Sequence, residues 1–218
     1  MLNWQQIDTV LLDMDGTLLD LCFDNQFWLE HLPSALAAKE GVSLEQGKAK
    51  LMPLLKSQRG SLNWYCTNYW TQVLGLDVVE LKAKHRQQIR WRQGSQPFLQ
   101  WLSTHAHLRV LLVTNAHPDT LVIKEQQTLL QQYMHEVVTS HQYQAPKEDQ
   151  HFWQQLQAQH PFDPERTLLI DDSLDVLKAA KTFGIRHLLS ISQPDSSCPP
   201  RDLPDWPHIN NLSELIAE

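Results

Sequence analysis

Apolar residues along this chain fall into two spacings, and the change comes near residue 106. Beyond that point short apolar runs at 108–113, 137–139, 167–170 and 185–191 alternate with stretches of helical period at 118–133, 148–159 and 173–183, the last ended by Gly184. A further run at 9–13, Thr-Val-Leu-Leu-Asp, has the same strand character. Strands alternating with helices imply βαβ units, and therefore an α/β fold with a parallel sheet covered on both faces.

Residues 20–92 carry no strand signal. A helical pattern over 24–39 contains Pro33, which marks a kink or break. Ser43-Leu44-Glu45-Gln46 is a capping-box pattern that opens a second helix. Further helices are predicted over 62–74 and 78–91, separated by Gly75. The chain thus divides into a core, 1–19 with 93–218, and a helical insertion, 20–92, between the first and second strands. An insertion on the carboxyl side of a sheet strand overhangs the place where open α/β sheets bind ligands. Its start only a few residues after Asp15 favours a lid over a plain stabilising subdomain. The stretch 193–207 holds five prolines and is expected to cross the surface irregularly.

Composition narrows the class. At 218 residues, 42% hydrophobic and 20% charged, the chain has the make-up of one substantial soluble domain with an insertion. Its net charge of −7 and the absence of a basic block argue against a nucleic acid polymer as partner. No apolar run approaches membrane-spanning length, which argues against a membrane role. The three cysteines, widely spaced and without a Cys-x-x-Cys, read as free thiols in a reducing compartment, so a cytoplasmic location is expected. An anionic substrate would then need a local cation site.

Chemistry concentrates where the predicted strands end. The first delivers Asp13-Met14-Asp15-Gly16-Thr17. Alternation in an extended chain sends Asp13 and Asp15 to one side, and Gly16 permits the turn that follows. The second ends in Thr114-Asn115, which by itself reads first as a cap for the helix begun at Pro118. A loop after the third reaches Lys147, and the fourth runs into Asp171-Asp172-Ser173. Adjacent acids at a buried strand end are costly unless they meet a cation or cap a helix. Carboxylates, a hydroxyl, a lysine and a second carboxylate pair suit phosphoryl transfer. A doubly charged phosphate monoester admits a carboxylate nucleophile only when the repulsion is neutralised. Mg2+, a hard ion that prefers oxygen, can bind Asp13, the backbone carbonyl of Asp15 and the Asp171/Asp172 pair, while Lys147 and the Thr114 hydroxyl hold the remaining phosphoryl oxygens.

Asp-x-Asp-Gly-Thr, Thr-Asn, the lysine and Asp-Asp, in that order, resemble motifs one to four of the haloacid dehalogenase superfamily of phosphatases. The helical insertion resembles its C1-type cap, and the core implied is Rossmann-like. The flanks at 8–20, 62–66 (Leu-Asn-Trp-Tyr-Cys), 114–118 (Thr-Asn-Ala-His-Pro) and 146–150 (Pro-Lys-Glu-Asp-Gln) resemble a bacterial GMP/IMP nucleotidase group within it. The resemblance implies that Asp13 attacks phosphorus to form an aspartyl phosphate. Asp15 then serves as general acid and base, and a purine nucleoside monophosphate is the substrate. Asp171 stands where the commonest fourth motif has glycine, so Asp172 is the safer metal ligand. A broad phosphatase acting on sugar phosphates or phosphoglycolate, or a catalytically inactive binding relative, are the alternatives. Specificity should come from the insertion. Phe23, Trp28, Trp64, Tyr65 and Tyr69 are candidates to stack on a base, and Asn25, Asn63, Asn68 and Asn115 to touch polar groups. The i, i+4 spacing of Tyr65 and Tyr69 is equally that of a helix packing stripe. His117 reads as a helix-start residue that could also touch the leaving group, and His141 and Tyr143 lie in the loop before Lys147.

Overall fold

A computed structural model describes residues 2–216. Strand β1 (Thr9–Leu12) is buried at all four positions. Val10 and Leu12 enter one hydrophobic cluster and Leu11 another, which is what a strand covered on both faces requires. The chain then enters the insertion. Helix α1 (Cys22–Gln26) runs through a π-helical turn, Phe27–His31, into α2 (Leu32–Glu40). The break expected at Pro33 takes this form. The Leu32 N–H bonds to the Phe27 carbonyl, and proline enters in the first turn of α2, where its missing donor costs least. Helix α3 (Leu44–Gln58) opens on the predicted capping box, with Ser43 and Gln46 bonded reciprocally.

The single helix expected over 62–74 is two, α4 (Leu62–Tyr65) and α5 (Thr67–Leu74). Cys66 between them is extended, and its Sγ accepts the Tyr69 N–H to cap α5. Helix α6 (Val78–Lys84) is shorter than the expected 78–91 and passes through a 3-10 turn, Arg86–Gln88. The insertion has its own core, with Phe27, Leu32, Leu36, Leu51, Leu55 and Trp70 at its centre. It leaves and returns at one place, since Leu19 and Trp91 form an antiparallel bridge and the Arg92 N–H donates to the Leu18 carbonyl.

Helix α7 (Ser95–Ser103), for which periodicity made no case, precedes β2 (Arg109–Thr114). Helix α8 (Pro118–Thr128) stops short of the expected residue 133 because Leu129 turns left-handed, at φ 53°, into a separate 3-10 turn. Then come β3 (Glu136–Thr139), α9 (Gln150–Gln159), β4 (Thr167–Ile170), α10 (Leu174–Phe183) and β5 (His187–Ile191). The proline-rich crossing leads to a two-residue strand, β6 (His208–Ile209), too short to leave a periodic signal. The sheet has order β3-β2-β1-β4-β5-β6, and every pair is parallel. Strand order reverses between β1 and β4, which puts the ligand crevice at their carboxyl ends.

Candidate active site

Register builds the site. Leu12 of β1 pairs with Leu112 of β2 and with Ile170 of β4. The residues that follow, Asp13 and Asp171, therefore emerge side by side, with Thr114 one strand over. Lys147 ties them together. Its ammonium, 1% exposed, donates to Asp13 Oδ1 at 2.5 Å, Asp171 Oδ2 at 2.7 Å and the Val113 carbonyl at 3.0 Å. Burial alone would strip this lysine of its proton, but the two carboxylates outweigh it and hold the ammonium charged. Asp13 Oδ2 stays buried with no partner.

A second cluster lies alongside. Lys124 of α8, 1% exposed, donates to Asp15 Oδ1 and, at 2.5 Å, to Asp24 Oδ2. Asp24 Oδ1 accepts from Lys82 at 2.8 Å. Burial opposes ionisation of Asp24, yet Lys124 and Lys82 together hold its carboxyl down at about 2. Asp13 and Asp15 move the other way. Burial pushes Asp13 up to about 6 against the pull of Lys147. Asp15 rises to about 6 through burial and through repulsion from Asp24 and Asp13, against Lys124. Both acids line the one cavity. Regular β1 ends at Leu12, and the chain turns through Asp15 and Gly16, so the two neighbouring carboxyls engage different lysines.

The residues present fit a hard divalent cation. Oxygens of Asp13, Asp171 and Asp172 lie within 4.8 Å of one another, and the donor set is all oxygen. Gly16, at φ +84°, packs so closely that a Cβ there would sit 2.7 Å from Asp172 Cγ, so only glycine leaves room for this carboxylate. Asp13, Asp15, Asp24, Asp171 and Asp172 face the ammoniums of Lys82, Lys124 and Lys147, with the Arg201 guanidinium also drawing on Asp172, so the carboxylates outnumber the cations beside them. Burial, with Glu148 nearby, raises Asp171 above the ordinary carboxylate range, and burial with repulsion from Asp13 and Asp171 raises Asp172 well above it. Asp171 Oδ1 also accepts the N–H of Ser173 at 2.9 Å, and the Ser173 hydroxyl in turn caps α10. The Asp15 carboxylate stands outside the triad, bonded to Lys124.

These groups line a cavity of about 400 Å³ between sheet and insertion. Thr114 reaches its wall and accepts the Ala116 N–H, which leaves the hydroxyl proton free. Trp28, Trp64, Tyr65 and Arg59 supply the insertion's side. Asn115 lines it too, but its amide is committed: Oδ1 accepts the Lys147 N–H and Nδ2 donates to Glu148 Oε2. The Tyr65 hydroxyl donates to the other Glu148 oxygen at 2.7 Å, joining insertion to core. Burial and that carboxylate push the Tyr65 phenol well above its ordinary value.

Phe23, expected against the substrate, is not in the cavity wall. It is 2% exposed in the core, beneath Lys82 and Lys124, whose ammoniums stand 5.5 and 5.7 Å from its ring. Tyr69 packs edge-on against Trp70, and Asn63 bonds Gln58. Asn25 donates to Asp195, and His117 caps α8. Sequence reasoning missed Asp24, Lys82, Lys124, Arg59 and Glu148. A lysine at 124 between the buried Ile123 and Thr128 of α8 was the available signal.

Residues 10–189 match the family model for haloacid dehalogenase-like hydrolases. The chain is 39% identical over 213 residues to the GMP/IMP nucleotidase YrfG of Escherichia coli (strain K12), covering 98% of this chain and 96% of that protein. An equal match is the nucleotidase of the same name from Shigella flexneri. Among solved structures, a HAD phosphatase from Thermococcus onnurineus superposes with a TM-score of 0.78 at 22% identity, over 96% of each chain. A putative β-phosphoglucomutase from Thermotoga maritima gives 0.67 at 18% identity, over 96% of this chain and 97% of that one. At these identities the two structures speak for the fold alone.

Proposed function

The chain belongs to the haloacid dehalogenase-like hydrolases and is a phosphatase of the nucleotidase kind, and on that premise we propose that it is a magnesium-dependent, cytoplasmic 5′-nucleotidase that hydrolyses GMP and IMP through an aspartyl phosphate on Asp13. The observation that carries the reaction is the pairing of Asp13 with Lys147 and Asp171 beneath a cavity whose far side is aromatic. The free cysteines suit a reducing compartment, and among the described residues no helix is long and apolar enough to cross a membrane.

Asp13 attacks phosphorus in line, forming the Asp13 O–P bond as the ester P–O bond breaks. Lys147 orients one Asp13 oxygen and, with Thr114, stabilises charge on the equatorial phosphoryl oxygens. Asp13, Asp171, Asp172 and the Asp15 carbonyl would hold Mg2+, which supplies charge neutralisation between phosphate and carboxylates. Asp15, raised to about 6, retains a useful protonated fraction near neutrality. It gives that proton to the leaving oxygen, then removes one from the water that hydrolyses the aspartyl phosphate. Lys124 and the turn at Gly16 keep its carboxyl directed at that place.

The preference for a purine rests on the relatives' substrates and on the cavity's Trp28, Trp64 and Tyr65, whose faces suit stacking. The test is phosphate release with Mg2+ from GMP, IMP, AMP, phosphoglycolate and hexose phosphates. GMP and IMP should be turned over fastest, and EDTA should abolish turnover. Faster hydrolysis of a sugar phosphate would remove the nucleotidase assignment. Turnover indifferent to EDTA would remove the metal.

A further inference from the structure

Away from the phosphate cavity, a second set of ligand-type side chains converges where the insertion meets the core. Cys66 Sγ and one ring nitrogen each of His117 and His141 lie within 4.8 Å of one another. Cys66 belongs to the insertion, in the break between α4 and α5; His117 caps α8, and His141 follows β3. None of the three lines the phosphate cavity.

The surroundings of the two imidazoles are those of metal ligands. His141 hydrogen-bonds the Asn115 backbone, while its Nε2 is buried with no partner. One nitrogen is thus fixed by a carbonyl and the other is left with an unused lone pair. His117 Nδ1 accepts the Asp119 N–H at 3.3 Å as the cap of α8, lies 2.9 Å from the Thr67 hydroxyl and stands 3.3 Å from Asp119 Oδ2. Its Nε2 has only a 3.4 Å contact with the Asn68 amide. An imidazole with one nitrogen engaged by the protein and the other open is the usual outer-shell arrangement around a bound metal. His141 has its Nε2 open, and His117 reaches the same state by moving its proton from Nε2 to Nδ1, beside the Asp119 carboxylate.

We infer that Cys66, His117 and His141 form a binding site for a soft or borderline divalent cation, Zn2+ above all, which clamps the insertion onto the core. Thiolate and imidazole donors select Zn2+ over Mg2+, so this site and the all-oxygen triad sort the two ions by chemistry. Binding forms the Zn–Sγ bond as the Cys66 thiol proton leaves to solvent, with no change in oxidation state. Tetrahedral zinc places such ligand atoms roughly 3.3–3.6 Å apart. The site spans up to 4.8 Å, so closing it draws Cys66 towards the two histidines. The insertion, which supplies one side of the cavity, is then pinned to the core, and zinc acts as an inhibitor at a distance from the reacting atoms.

The test is a Co2+ titration of the full chain with Mg2+ in excess, so that the carboxylate triad is occupied. One equivalent should give a thiolate-to-cobalt charge-transfer band with the intense visible absorption of four-coordinate cobalt. Cys66→Ser, which keeps a side-chain acceptor to cap α5, should lose the charge-transfer band while keeping its circular dichroism and Mg2+-dependent turnover. His141→Asn should bind Co2+ at least tenfold more weakly. Stoichiometric Zn2+ in excess Mg2+ should lower wild-type turnover at least tenfold and leave Cys66→Ser unaffected. A wild-type protein with no charge-transfer band, or a band that survives in Cys66→Ser, overturns the site. A wild-type protein that binds Zn2+ at Cys66 with full turnover overturns the clamp.

Discussion

At the scale of single residues, Lys124 places one positive charge between Asp15 and Asp24 in a spot 1% exposed to solvent. Replacing one partner of a buried ion cluster strands the charges left behind, at a cost of about 3–5 kcal/mol. Lys124→Met should therefore lower the urea midpoint markedly. It should also cut phosphate release by about 10²-fold or more, because Asp15 loses the contact that aims it. Adding Asp24→Asn restores the balance of charge, leaving Lys82 to face the Asp15 carboxylate, so the double variant should regain part of the stability without regaining turnover. Recovery of both would mean that Lys124 acts on stability alone. Asp13→Asn should abolish turnover with an unchanged circular dichroism spectrum, and residual hydrolysis above about one part in 10³ would argue against the covalent route. Asp13, Thr114, Lys147 and Asp171-Asp172 were legible in the sequence because each follows a short apolar strand, and parallel register brings such ends together. Lys124, Lys82 and Asp24 were not, because a polar residue on a helix reads as solvated until the facing element is known. Phe23 misled for the converse reason. Proximity in sequence to Asp15 did not reveal that its ring turns into the core.

Elements carry a different kind of information. The five longer strands were visible as apolar runs, and α10 by its helical period and terminal Gly184. Departures arose where backbone bonding, which leaves no side-chain period, decides the outcome. Examples are the π-helical turn before Pro33, the extended Cys66 that splits α4 from α5, and the left-handed Leu129 that ends α8. Helix α7 begins at such a place. Gly94 at its start has φ +81°, and a Cβ there would stand 1.8 Å from Asn211 Oδ1 and 2.8 Å from the Ser213 nitrogen. The adjoining Arg92 binds carbonyls of Thr17, Gln193 and Asn210, so this corner ties the returning insertion to the chain's last turns. Gly94→Ala adds a left-handed strain of order 1 kcal/mol to an overlap with backbone that cannot yield easily. Thermal unfolding should fall by several degrees, while KM for the substrate stays within about twofold, since no cavity residue is touched. A neutral melting temperature would show that residues 211–213 can move aside.

For the whole molecule, the decisive quantity is charge held where solvent cannot screen it. The sheet's carboxyl edge gathers Asp13, Asp171 and Asp172 within ligand distance, with one ammonium, Lys147, against them. Without a cation this arrangement opposes folding, as the raised carboxyls of Asp13, Asp171 and Asp172 attest. Asp172→Asn removes one of the repelling charges while nearly preserving volume. The metal-free variant should therefore melt above the metal-free wild type, by about 1 kcal/mol or roughly 2–4 °C in a chain of this size. Mg2+ should reverse the order. At a hundredfold excess over its dissociation constant, it stabilises the wild type by about 2.7 kcal/mol, whereas a carboxamide in place of Asp172 forfeits most of that gain and the turnover with it. Scanning calorimetry of both proteins, with EDTA and with Mg2+, reads all four states. If Asp172→Asn lowers the metal-free melting temperature, the acids at this edge are compensated by partners within the protein, and the inference that their excess charge is a cation's place falls with it.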